Sequence, residues 1–284
     1  MAILIDGKAE SVKIQEALIK RAATLSVTPR LVIIQIGSAD DANIYIQRKK
    51  KYGEGLGVIV DHVQYDVSTD EDTIVEGISS YNSDPTVHGI IVQLPVPKKF
   101  NTIRCVNTIS PGKDVDGLTR VNRAMLLEGD AEATIPATTK GILKLLGSVG
   151  VTLEGKRVVL VGRSSLVGKP TAIACLNRNA TVTMCHSYTK NLLEETRRAD
   201  VVIVATGSPR LITEKHVTSG QVIIDVGINR IETESGKKIV GDVDTEAVGK
   251  IVDMLTPVPG GVGPMTVACL FENLIETAEK NSIV

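Results

Sequence analysis

Tryptophan is absent from this 284-residue sequence, and aromatic residues of every kind make up only 2% of it. So few rings exclude a general stacking platform for bases, and any tyrosine beside a ligand stands out. A dominant charge is missing too: 32 Lys+Arg face 33 Asp+Glu, which argues against nucleic acid or an anionic membrane as the main partner. No apolar run approaches the roughly 20 residues needed to span a bilayer. The N-terminus MAILIDGKAE turns polar too early for a secretory signal, so a cytoplasmic protein is expected. Cys105, Cys175, Cys185 and Cys269 form no C-x-x-C pair and read as reduced, structural thiols. His62, His88, His186 and His216 lack metal-ligand spacing, so no metal is expected.

What is present is a long alternation of apolar runs and helical patterns. Strands are expected at 30–36, 58–65 and 88–94, with helices at about 40–53 and 70–82 between them. Thr69 and Asp72 suggest a capping box for the second of these helices. A second series follows at 156–162, 180–186, 199–207 and 220–229, nearly continuous in Val and Ile, as strands covered on both faces require. The chain is longer than one core usually serves. We therefore expect two α/β domains with a cleft between them, the second a Rossmann-type doubly wound parallel sheet. The boundaries are 1–136, joined by a C-terminal helix at 264–284, and 137–263. Pro264 suits the first turn of that helix.

The stretch VGRSSLVGKP, 161–170, leads from a buried strand into a helix. It is not G-x-G-x-x-G, yet Gly162 and Gly168 flank the turn where a backbone can approach a pyrophosphate. About 20 residues further on, where NAD sites carry a carboxylate, the sequence reads MCHSYTK. The missing acid, with Arg163, Ser164 and Ser187 able to receive a 2′-phosphate, favours NADP over NAD. Thr206, Gly207, Gly227 and Ile228 follow the third and fourth strands of this half, at the carboxyl ends where open α/β sheets bind ligands; tight turns alone also account for the glycines.

In the first half, YIQRKKK (45–51) places Tyr45 and Lys49 on one helix face, four residues apart. Read alone, such a basic stripe is usually just the wet side of a helix. Gln93 in VQLPVP ends a buried strand, and Asp116 in GKDVDG sits in a glycine-bounded loop. Together with P-G-G-V-G-P-M-T (259–266), the Y-x-x-x-K-x-K-x(5)-G pattern at Tyr45, Lys49, Lys51 and Gly57, and the V-Q-L-P and K-D-V-D-G motifs, these residues resemble one family nearly end to end. It is the bifunctional methylenetetrahydrofolate dehydrogenase/methenyltetrahydrofolate cyclohydrolase family.

The resemblance implies oxidation of 5,10-methylenetetrahydrofolate with NADP and hydrolysis of the resulting methenyl cation to 10-formyltetrahydrofolate. It gives Lys49 the central catalytic role, Tyr45 a place against the folate, Gln93 support of the lysine and Asp116 the pterin. It also brings Gly261 and Pro264 into the substrate site. It implies a homodimer and a place in the one-carbon metabolism that feeds purine biosynthesis. Hydrolysis needs a proton acceptor, so Lys49 must be neutral part of the time, which burial and nearby cations favour. The chain departs from the family at Ala42, where Ser is common, and at Ala137 and Thr139 in PATTKG, where P-C-T-P is usual. A shikimate dehydrogenase-like enzyme would share the layout but not the V-Q-L-P or P-G-G-V-G-P-M-T motifs. A nucleotide sensor without chemistry would not need the Tyr45, Lys49, Gln93 and Asp116 set.

Overall fold

The computed structural model describes residues 1–38, 40–233 and 236–282. In chain order the elements begin with β1 (Ile3–Leu4), α1 (Gly7–Ala23), β2 (Arg30–Ile36), α2 (Asp40–Glu54), β3 (Ile59–Tyr65) and α3 (Glu71–Ser83). Next come β4 (Gly89–Val92), α4 (Thr102–Thr108), α5 (Arg120–Glu128), α6 (Ala137–Ser148), β5 (Arg157–Val161) and α7 (Gly168–Leu176). They are followed by β6 (Thr181–Cys185), α8 (Leu192–Arg197), β7 (Val201–Val204) and β8 (Val222–Asp225). The last are β9 (Asn229–Thr233), β10 (Gly236–Val240), α9 (Thr245–Val248), β11 (Met254–Leu255) and α10 (Val262–Ser282).

Two compact units result: Met1–Val12 with Thr138–Thr266, and Lys13–Ala137 with Val267–Val284. Residues 1–12, expected with the first domain, go instead with the larger sheet. Ile3 and Leu4 pair in parallel with Met254 and Leu255, and the Ile5 amide donates to the Leu255 carbonyl at 2.9 Å. The C-terminal helix starts at Val262, two residues before Pro264, which stands in its first turn as expected.

The Lys13–Ala137 unit carries a three-stranded parallel sheet in the order β3-β2-β4. Strand β2, RLVIIQI, is buried along almost its whole length because both of its faces are covered. Leu31 and Ile33 join Ile46, Phe271 and Leu274 in one cluster, while Val32, Ile34 and Ile36 join Ile74, Ile78 and Cys105 in the other. The period of two thus sends alternate residues to opposite helical layers. The capping box expected for α3 does not form. Its N-cap is Asp70 without a side-chain bond, and Asp72 instead accepts from Arg104 at 2.6 Å.

The other unit is a six-stranded parallel sheet in the order β1-β11-β8-β7-β5-β6. Strands β7 and β8 are buried at every residue. Chain direction along the sheet reverses between β5 and β7: β5 continues outward to β6, and the chain then returns to β7 on the other side of β5. Such a switch point opens a crevice at the carboxyl ends of the strands. The β9–β10 pair forms a separate antiparallel ribbon.

Candidate active site

Helix α2 explains which of the four cations in YIQRKKK is special. Its buried stripe runs Ala42, Ile46, Gly53, and Lys49 falls on that stripe three residues after Ile46 and four before Gly53. Gln47, Arg48 and Lys51 are exposed. Gly53 is glycine because a methyl group there would press on Val60 and on the Phe271 ring, 2.9 Å from its Cε1. The helix therefore lies close against the core, and Lys49 is carried inward with it.

The amine of Lys49 donates to Gln93 Oε1 at 2.9 Å. Gln93 is fixed in turn: its backbone amide donates to the Ile34 carbonyl at 2.8 Å, and its Nε2 donates to the Leu94 carbonyl at 2.9 Å. With the amide hydrogens engaged, the oxygen faces the lysine. Burial pushes the Lys49 amine below the usual lysine value, and the nearby Asp116 carboxylate pulls it back by less. Burial likewise pushes Asp116 up, Lys49 opposes that, and Asp114 adds to it. As whole residues both are half-buried.

The two aspartates of K-D-V-D-G divide the work. Asp114 is 2% exposed and accepts from the amides of Leu118 and Thr119 and from Asn122 Nδ2 at 2.8–3.1 Å, so it holds the loop. Gly117, at φ +68°, turns the chain where a side chain would strike the Thr134 carbonyl. Asp116 is left to face Lys49 electrostatically. Tyr45 is half-buried one turn before Lys49, with the Arg48 guanidinium 5.7 Å from its ring centre. Gly261 and Pro264 belong to the other unit, at the start of α10; Gly261 is buried close against Pro257 and Thr256.

The expected dinucleotide residues gather at the carboxyl ends of β5, β6, β7 and β8. Gly162 has φ +120°, and any side chain on it would run into the Ala205 carbonyl at the end of β7. A Cβ on Gly168 would lie 2.9 Å from Arg163 Cα. Both glycines are required by close backbone approach at the switch point. Ser164 Oγ accepts from the amides of Val167 and Gly168 at 3.2 Å, so it closes the turn into α7 and engages two of the amides at the helix start. Arg163 and Ser187 are exposed side by side with Tyr188, whose ring centre is 5.6 Å from the Arg163 guanidinium.

Thr206 is used differently from the expectation. Its amide and hydroxyl, and the Gly207 amide, all donate to Asp242 Oδ2 at 2.6–2.9 Å, and its hydroxyl accepts from the Ser208 amide. These donors face inward. Ile228 is half-exposed just past β8. Sequence reasoning missed Asp242 altogether. The available signal was a glycine-flanked carboxylate in V-G-D-V-D, directly after a strand, with no basic residue beside it.

The dinucleotide group implied by this arrangement fits the residues present: a strand end and a helix start without side chains at Gly162 and Gly168, an exposed cation and hydroxyl at Arg163 and Ser187, and no carboxylate at the end of β6. Among the described residues no group of three or more His, Cys, Asp or Glu could hold a metal ion. Fold and site define an α/β dinucleotide-binding enzyme with a half-buried lysine in a second unit. Comparison with known proteins makes that specific. The tetrahydrofolate dehydrogenase/cyclohydrolase catalytic domain matches residues 5–116, and the NAD(P)-binding domain of the same family matches 136–282. The chain belongs to the tetrahydrofolate dehydrogenase/cyclohydrolase family.

Among its relatives, the bifunctional protein FolD of Halalkalibacterium halodurans is 42% identical over 98% of this chain and 99% of its own. The crystal structure of the bifunctional enzyme FolD from Campylobacter jejuni superposes with a TM-score of 0.95 at 39% identity, covering 99% of both chains. The Trypanosoma brucei enzyme, solved with NADP cofactor and an inhibitor, gives 0.93 at 32% identity over 98% of each.

Proposed function

We propose that this chain oxidises 5,10-methylenetetrahydrofolate to 5,10-methenyltetrahydrofolate with NADP and hydrolyses the product to 10-formyltetrahydrofolate. NADP, when bound, supplies the acceptor for the hydride that leaves the one-carbon bridge. Arg163 and Ser187 are the residues to hold its 2′-phosphate, and the Gly162–Gly168 turn is the place for its pyrophosphate. The remaining chemistry belongs to side chains. Lys49 in its neutral form takes a proton from the water whose oxygen bonds to the methenyl carbon. The bond from that carbon to N5 then breaks: N5 receives a proton back from the Lys49 ammonium, the added hydroxyl loses its own to solvent as the carbonyl forms, and the formyl group stays on N10. Gln93 aims the amine, and Tyr45 covers the folate. Asp116 accepts from the pterin N–H groups, a planar pair suited to a carboxylate.

The observation that carries this reading is the Lys49 amine, held by Gln93 at 2.9 Å and pushed toward neutrality by burial. In Lys49→Ala, methenyl hydrolysis should fall by about 100-fold or more, the range expected for a lost general base, while some NADPH formation survives. Following NADPH and methenyl decay in one mixture measures both, and undiminished hydrolysis would remove Lys49 from its role. A homodimer in the cytoplasm, supplying formyl groups for purine biosynthesis, completes the proposal. Sedimentation tests the dimer.

A further inference from the structure

Two carboxylates that the proposed chemistry does not use lie under the strand ends of the dinucleotide unit. Asp225 closes β8 at 1% exposure, and Asp242 follows β10 at 0%. Asp225 Oδ1 accepts from the amides of Gly227 and Asp242, and its Oδ2 accepts from Val243, at 2.9–3.0 Å. Asp242 Oδ2 gathers the Thr206 amide and hydroxyl and the Gly207 amide, and its Oδ1 accepts from Asn229 Nδ2 at 2.8 Å. Every one of these donors is a neutral amide or hydroxyl, so the charges are solvated by the protein but not cancelled. Space is kept for them by two glycines: a side chain on Gly227 would overlap the Asp242 carboxylate, and one on Gly241 would overlap that of Asp225.

Their place relative to the cofactor follows from the sheet order β8-β7-β5-β6. The 2′-phosphate reading puts the adenosine half at Arg163 and Ser187, at the ends of β5 and β6. Continuing from the pyrophosphate turn at Gly162 along the sheet order, the other half would fall at the ends of β7 and β8, where Thr206, Gly207 and Ile228 stand. That half carries the nicotinamide ring, which is cationic when oxidised and neutral when reduced. A fixed negative charge beneath it, in a medium of low effective dielectric, favours the cation.

We propose that Asp242, supported by Asp225, is a positioning residue that sets the preference of this site for oxidised over reduced cofactor, an inference that rests on the NADP reading above. The pair ties together the chain ends after β7 and β8 and lends them a negative potential.

Calorimetric titration of the whole protein with NADP and with NADPH, each without folate, provides the test. In Asp242→Asn the ratio of the two dissociation constants should shift toward NADPH by about threefold or more. Asp225→Asn should shift it in the same direction, which decides the matter if the first variant does not fold. Asn229→Ala breaks one hydrogen bond but keeps both charges, so the ratio should stay within about twofold of the unmodified protein. A purely structural role would weaken both forms equally; an unchanged ratio in both aspartate variants overturns the proposal. Failure of the unmodified protein to bind either form overturns the NADP reading as well, which separates the two failures.

Discussion

Lys49 and Asp116 form a pair whose members hold each other's proton equilibrium in check. Burial is the larger influence on each, lowering the amine and raising the carboxyl, and each charge partly restores the other. If neutral Lys49 is the proton acceptor, the hydrolysis rate under saturating methenyl substrate should rise with pH along the amine's titration and level off below the ordinary lysine value of 10.5. Asp116→Asn removes the charge that pulls the amine back up. The limb of the pH–rate curve should then move to lower pH, while the folate dissociation constant rises by about tenfold or more for the lost charge-assisted bonds. A limb that stays in place would mean that the titrating group is not this amine.

Helix α2 shows what happens when a functional side chain occupies a core position of an element. Its stripe of Ala42, Ile46, Lys49 and Gly53 is laid on a core that includes Phe271, which is fully buried with its ring centre 5.3 Å from that of Tyr52. Gly53→Ala would push α2 away from Val60 and Phe271. It should destabilise the protein by about 1–3 kcal/mol and, by shifting Lys49 from Gln93, reduce hydrolysis more than NADPH formation. Denaturant titration and the two activity assays measure these effects, and a stability loss with both activities equally affected would deny the link between helix seating and the lysine. The place of Lys49 on that stripe was not legible from spacing, since the run YIQRKKK read alone is a basic face; the resemblance of the surrounding motifs to the family picked it out. Strands β2, β7 and β8 were legible as continuous apolar runs. The two-residue strands β1 and β11 were not, because two residues carry no period. The Thr69–Asp72 capping box misled because Arg104, distant in sequence, claims Asp72. Asp242 was hidden in the same way: its donors Thr206 and Asn229 lie 36 and 13 residues upstream, and only the packed sheet brings them together.

For the molecule as a whole, a net charge of −1 leaves no overall field to govern stability against pH, so individual buried groups do. Asp225 is pushed up from 3.8 to about 6, chiefly by burial. Because its folded value lies above the unfolded one, the folded protein binds a proton there between about pH 6 and 4 that the unfolded chain does not. This group's contribution therefore makes stability rise on acidification through that window and fall above it. Other groups act in the opposite sense. His62, His88 and His216 are pushed down by burial, and lose their contribution as pH falls through their lowered values. Asp66 and Asp84, held down by hydrogen bonds from Ser68 and Thr86, and Glu279, held down by Arg21, lose theirs at still lower pH. Comparing the protein with Asp225→Asn cancels these shared contributions. From about pH 7.5 to about pH 4.5 the unfolding free energy of the unmodified protein should gain on that of the variant by about 2 kcal/mol, measured by denaturant titration at each pH. A constant difference across the range would mean that Asp225 titrates alike in the folded and unfolded chains, and that its charge is not held against a burial cost beneath the ends of β7 and β8.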